Sequence, residues 1–183
     1  MKKIYFLLFL LFVSNEILAQ DKLLGILPLK DGKVTYSNVV QLKDVSKDVM
    51  YNRIKHWFAD TYNSGKDVIQ IDDKETGEII GEGCFKSSWR ARFFFAQSVN
   101  IWKTIKIQLK EDRFRYEITD FRIKNYFIPS QNASVKDAGV PLEEWNKGHD
   151  SKNKKFYPKI ASEMTLLINS LESAVKNKKD DIW

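Results

Sequence analysis

The stretch that most constrains this chain is Thr104–Ile123, TIKIQLKEDRFRYEITDFRI, in which apolar and polar residues alternate along two arms joined at Glu111-Asp112. Successive strand side chains point to opposite faces. Ile105, Ile107 and Leu109 therefore share one face with Phe114, Tyr116 and Ile118, while Lys106, Gln108, Arg115 and Glu117 share the other. An antiparallel pair tolerates one buried and one wet face. A turn at Glu111-Asp112 sets Leu109 opposite Phe114, Ile107 opposite Tyr116 and Ile105 opposite Ile118, with Lys106 opposite Glu117. A slip by one residue would set apolar against polar throughout. Extended unchanged, the register predicts Trp102 opposite Phe121 on the outer face and Lys103 opposite Asp120 on the inner face.

The chain opens with Lys2-Lys3, an apolar run Ile4–Val13 and a short segment ending at Ala19, the pattern of a cleaved signal peptide over residues 1–19. The run is too short for a membrane-spanning helix of about 20 residues. The expected mature protein is exported, periplasmic or extracellular, a single domain over residues 20–183. Loss of the leader lowers the formal net charge from +6 to +5. A mildly basic surface suits an acidic or glycan ligand without requiring one. The single cysteine, Cys84, excludes an intramolecular disulfide and sits in a strand pattern, as a small buried residue does.

In chain order, Gln20–Gly32 reads as an extended lead-in, with a turn at Asp31-Gly32 and a strand over Val34–Leu42. Ser46 caps a helix that runs to Tyr62, with Met50, Ile54, Trp57, Phe58 and Thr61 as its buried stripe; Asn63-Ser64-Gly65 ends it. Asp67–Asp72 and Glu78–Phe85 are the next strands, joined by Asp73–Gly77, and Gly81 and Gly83 mark a bulge or a close approach. The break before the hairpin is placed near Ala96–Asn100. Residues 124–157, with Pro129, Pro141, Gly139 and Gly148, read as a long irregular loop, and a second helix is expected from Pro158 to about Asn177. The fold class is α+β: a five-stranded antiparallel sheet in the order β-α-β-β-β-β-α, with two helices on one face.

These elements resemble a known family. The resemblance rests on Leu27-Pro28-Leu29, Gly32-Lys33-Val34-Thr35-Tyr36, Ser46-Lys47-Asp48, Trp57-Phe58, Asp67-Val68-Ile69-Gln70, Asp73-Lys74-Glu75-Thr76-Gly77, Gly81-Glu82-Gly83, Phe114-Arg115-Tyr116 and Thr119-Asp120-Phe121. The chain is similar over about Leu27–Ile123 to domain-of-unknown-function family 4468, an exported domain common in Bacteroidetes. The resemblance implies a TATA-binding-protein-like fold. It imports no active site, and a shared fold carries no inference of DNA binding.

No local pattern marks a catalytic set, a metal site or a cofactor loop. His56 falls off the helix stripe, and Asp72-Asp73-Lys74-Glu75 lacks the ligand spacing of a calcium loop and reads as a turn. Asn132-Ala133-Ser134 is a formal glycosylation sequon. The constellation that stands out is the outer hairpin face: Trp102 and Phe121 at one end, Lys106 and Arg115 in the middle, Lys110 and Arg113 at the turn. Aromatics beside cations stack on rings and pair with anions. The expected function is a non-catalytic binding or interaction domain that uses this face, with an envelope protein or an acidic or glycan ligand as partner; the opposing reading is an ordinary wet face, or aromatics covered by the 124–157 loop with Trp145 as the candidate cover. Two alternatives stand beside it. One is a hydrolase-like enzyme with a site in the loop around Glu143, Glu144, His149 and Asp150. The other is nucleic-acid binding, which export disfavours.

Overall fold

The computed structural model describes residues 25–62, 65–92, 95–124, 139–145 and 150–176. Residues 1–19, read above as a signal peptide, Asn63-Ser64, Asn132-Ala133-Ser134, His149 and the segment after Lys176 lie outside them. A short hairpin pairs β1 (Leu29–Lys30) with β2 (Lys33–Val34). Its turn residues Asp31 and Gly32 both have positive φ, 52° and 76°, which is why an Asp-Gly pair stands there. Then follow β3 (Tyr36–Gln41), α1 (Lys47–Tyr62), the single turn α2 (Gly65–Val68), β4 (Ile69–Asp73), β5 (Glu78–Arg92), β6 (Phe95–Lys110), β7 (Arg113–Lys124), β8 (Val140–Pro141) and α3 (Asp150–Lys176).

The main sheet is antiparallel in the order β3-β7-β6-β5-β4, and the two-residue β8 extends β7 at its edge as a sixth strand. The α+β class, the order β-α-β-β-β-β-α and the two principal helices agree with the sequence reading. The inner sheet face, α1 and α3 form one buried cluster with Ile54, Phe58, Ile105, Ile107, Phe114, Ile118, Ile160 and Met164 at its centre. Trp57 Nε1 donates to Ser170 Oγ at 2.9 Å and Arg53 to the Val175 carbonyl at 2.6 Å, which ties α1 to α3.

The hairpin register holds from Lys110↔Arg113 through Leu109↔Phe114 to Thr104↔Thr119. Its tip also orders the link into α1. The Asp112 carbonyl accepts from Leu42 N at 2.7 Å, Asp112 Oδ1 from Asp44 N at 3.1 Å and Glu111 Oε2 from Lys47 N at 3.2 Å. Ser46 caps the helix as expected, accepting from Val49 N at 3.4 Å.

Beyond Thr104 the extrapolated register fails. Trp102 pairs with Arg122, so Lys103 alone faces both Asp120 and Phe121 in a β-bulge. Asp120 takes the left-handed conformation, φ 54°, which a short polar side chain tolerates. An unbulged strand would set the Asp120 carboxylate against the core and turn Phe121 and Ile123 outward. Both apolar side chains are instead nearly fully buried, 1% and 2% exposed. Burying each contributes about 1.5–3 kcal/mol, more than one strained ion pair returns.

Other corrections are local. β5 and β6 run long, so the break lies at 93–94 and Ala96–Asn100 is strand. The first strand is divided into β2 and β3, and α3 starts two turns before Pro158. The buried Phe156 and Tyr157 hold the chain on the core there, while Pro158 itself is exposed. Thr61 is exposed; Tyr51 and Tyr62, one helical step to either side of the stripe, take up core contacts.

Gly81 and Gly83 mark a close approach. A Cβ on Gly81 would lie 2.7 Å from Phe58 Cε1 and 3.2 Å from the Val68 carbonyl, and one on Gly83 only 2.5 Å from Tyr62 Cζ. The last two turns of α1 therefore lie directly on β5. Gly81→Ala is expected to lower stability by roughly 1–3 kcal/mol in urea unfolding through overpacking. Phe58→Leu, which removes the ring atoms in the way, should make the same Ala substitution much less harmful. Equal effects in both backgrounds would contradict the contact.

Candidate functional site

The outer face was the expected site, and the structure places its residues unequally. Trp102, Lys106, Arg115, Lys110 and Arg113 stand on that face, the last two exposed at the tip. Phe121 does not; the bulge turns it inward, where its ring meets Tyr36 edge-on at 6.1 Å. The central cations are matched by anions. Lys106 meets Glu78 at 2.5 Å, Arg115 meets Glu117 at 3.1 Å, Lys124 meets Glu82 at 3.3 Å and Arg122 meets Asp120 at 3.2 Å. The Lys124 ammonium also lies 4.4 Å from the centre of the Trp102 ring. The face is thus a lattice of paired charges, with Val39 and Ile71 exposed at its margins. Exposed pairs of this kind contribute little to stability, about 0–1 kcal/mol each.

The loop alternative loses one of its members. Glu143 Oε1 accepts from Val34 N at 2.7 Å, so that carboxylate anchors β2. Glu144 is exposed, and His149 and the Asp150 side chain lie outside the described residues. Trp145, the candidate cover for the outer face, is buried in the core cluster, and Val140–Pro141 lengthens the sheet at its edge. Among the described residues no three His, Cys, Asp or Glu side chains gather as metal ligands. Asp73, in the acidic turn, accepts at Oδ1 from Glu75 N at 2.9 Å and Thr76 N at 3.1 Å, and these bonds, led by Thr76, hold its carboxyl below the usual range.

The arrangement that sequence reasoning missed lies on the inner face. Lys103 points inward as the register predicted, but the bulge leaves Asp120 outside, paired with Arg122. Lys103 is 2% exposed and has no hydrogen bond or ion pair among the described residues. Its ammonium lies 5.0 Å from the Phe85 ring centre and 5.4 Å from that of Tyr62. Desolvation pushes its pKa down from 10.5 to about 8, against a partial pull back from Cys84 and Glu163. Burial raises the Tyr62 phenol, whose hydroxyl has no partner among the described residues. Both groups line a cavity of about 350 Å³ between the end of α1, the edge of the sheet and α3, walled by Phe85, Met164 and Leu167, with Glu163 beside them. Cys84 also lines it, half-buried, with burial raising its thiol.

The signals were present in part. A lysine in phase with Ile101, Ile105 and Ile107 is an inward-pointing cation, and Gly81 and Gly83 announce the helix above it. The bulge that removes its partner had no mark beyond an Asp before an aromatic.

An antiparallel sheet with two helices on one face is consistent with the TBP-like arrangement. Residues 36–124 match the sequence model of the domain of unknown function DUF4468 with TBP-like fold. A DUF4468 family protein from Bacteroides ovatus superposes with a TM-score of 0.58 at 18% identity, over 86% of this chain and 94% of that one. A TBP-like protein from Parabacteroides distasonis gives 0.52 at 16% identity, over 80% of this chain and 97% of its own. At such identities the likeness is one of fold. No curated protein matches the chain.

The buried amine has a measurable consequence. The native pKa lies below the unfolded one, so between about 8 and 10.5 the unfolded chain holds the extra proton and stability rises with pH. A shift of that size disfavours the charged form by roughly 3 kcal/mol. Lys103→Met is therefore expected to be more stable than the parent below pH 8, with the gap closing towards pH 10.5. A gap in thermal unfolding midpoints that does not change with pH would contradict the assignment.

Proposed function

We propose that this is an exported, non-catalytic interaction domain whose outer sheet face receives a protein partner in the cell envelope. The observation that carries the reading is the ladder of paired charges across that face, Lys106 with Glu78 and Arg115 with Glu117, left uncovered by α1 and α3, which lie on the other side. The leader-like residues 1–19 support export. Charge pairs already neutralised on the surface favour a partner that offers both signs, as protein surfaces do, over a polyanion such as nucleic acid. Electrostatic complementarity of that kind sets orientation and partner choice more than raw affinity.

A photo-crosslinking residue at Gln108, central and exposed on the face, tests this in cells that produce the protein. The expected result is a discrete crosslinked species that is absent when the same residue stands at Asp60 on the opposite side. Arg115→Glu with Lys106→Glu should reduce it at least tenfold while leaving the unfolding midpoint nearly unchanged. Crosslinking indifferent to position and to charge reversal would refute the assignment of this face.

A further inference from the structure

We propose that the cavity over Lys103 is a binding site for a small monocarboxylate with an apolar body. This site is on the opposite side of the sheet from the face assigned above, and the two readings stand or fall separately. The first observation is the lysine. A lysine only 2% exposed normally has an anion paired with it, because desolvation is otherwise poorly compensated. Here two aromatic rings stand at 5.0 and 5.4 Å, Glu163 on the cavity lining acts on the amine without forming an ion pair with it, and the lysine lines an open cavity. The second observation is independent: Tyr62 lines the same cavity, and its hydroxyl, buried against Gly83, lacks a partner among the described residues. One cation and one unpartnered hydroxyl beside the same space match one carboxylate, which can accept from both.

The walls set the rest of the ligand. Phe85, Met164 and Leu167 supply apolar surface, and Leu166, 63% exposed, stands at the rim. The volume, about 350 Å³, falls at the small end of the range for small-molecule sites, roughly 300–1,000 Å³. Glu163, also on the lining, opposes negative charge on a ligand and opposes a dianion about twice as strongly, so a phosphate monoester is disfavoured relative to a monocarboxylate. The glycines contribute as well. Without side chains at Gly81 and Gly83, α1 sits low enough on β5 for Tyr62 to reach over Lys103.

The test compares isosteres on the full chain. Decanoate, decanol and decyl phosphate are titrated by calorimetry at neutral pH. Decanoate is expected to bind at least tenfold more tightly than either of the others. Lys103→Met, which the burial predicts to fold, should abolish the preference for the acid over the alcohol. Tyr62→Phe should weaken it by a smaller factor. Equal binding of acid and alcohol, an acid preference that survives Lys103→Met, or no binding of any of the three would overturn the proposal.

Discussion

The pairing of β6 with β7 is the constraint on which the rest depends. From Lys110↔Arg113 to Thr104↔Thr119 it presents an unbroken apolar face, Ile105, Ile107, Leu109, Phe114, Tyr116 and Ile118, and both long helices are held against it. Its tip does a second task. The backbone and side chain of Asp112, with Glu111, receive three amide protons from the link that leads into α1. Strand register and helix placement are thereby coupled, because a slip in one would strand the hydrogen bonds of the other.

One interruption in that pairing shapes both faces. The bulge opposite Lys103 rotates Phe121 and Ile123 into the core and moves Asp120 out, where it meets Arg122. The gain is two buried apolar side chains. The consequence is a lysine that keeps its inward direction and loses its cross-strand acid. Natural sequences place unfavourable groups of this kind at functional sites more often than elsewhere. Here the group opens onto a cavity formed by the low docking of α1 on Gly81 and Gly83.

Much of the fold was legible from alternation and punctuation. Strict period two between Thr104 and Thr119 specified the register, Asp31-Gly32 specified the first turn and Ser46 specified the start of α1. What was not legible depends on tertiary energetics. A strand reader carries its register through Asp120, because nothing local says that burying Phe121 outweighs keeping Asp120 beside Lys103. Pro158 reads as a first-turn residue, yet the burial of Phe156 and Tyr157 carries α3 back past it. On the outer face the cations and Glu117 were visible, but Glu78 and Glu82, which neutralise Lys106 and Lys124, come from β5, and their match required the sheet order. Lys103 itself was placed on the correct face, and its significance appeared only once its predicted partner was lost.

The two faces therefore differ in kind. Outside, charges are paired and wet; inside, one charge is dry and faces rings and a cavity. Everything said of the inner site rests on the state of a single amine. The most direct measurement is a titration of the lysine Cε resonances by carbon-13 NMR, with Lys103 assigned through Lys103→Met. The account predicts one resonance that titrates near pH 8, apart from a group of lysines near 10.5. A Lys103 that titrates with the others would contradict it.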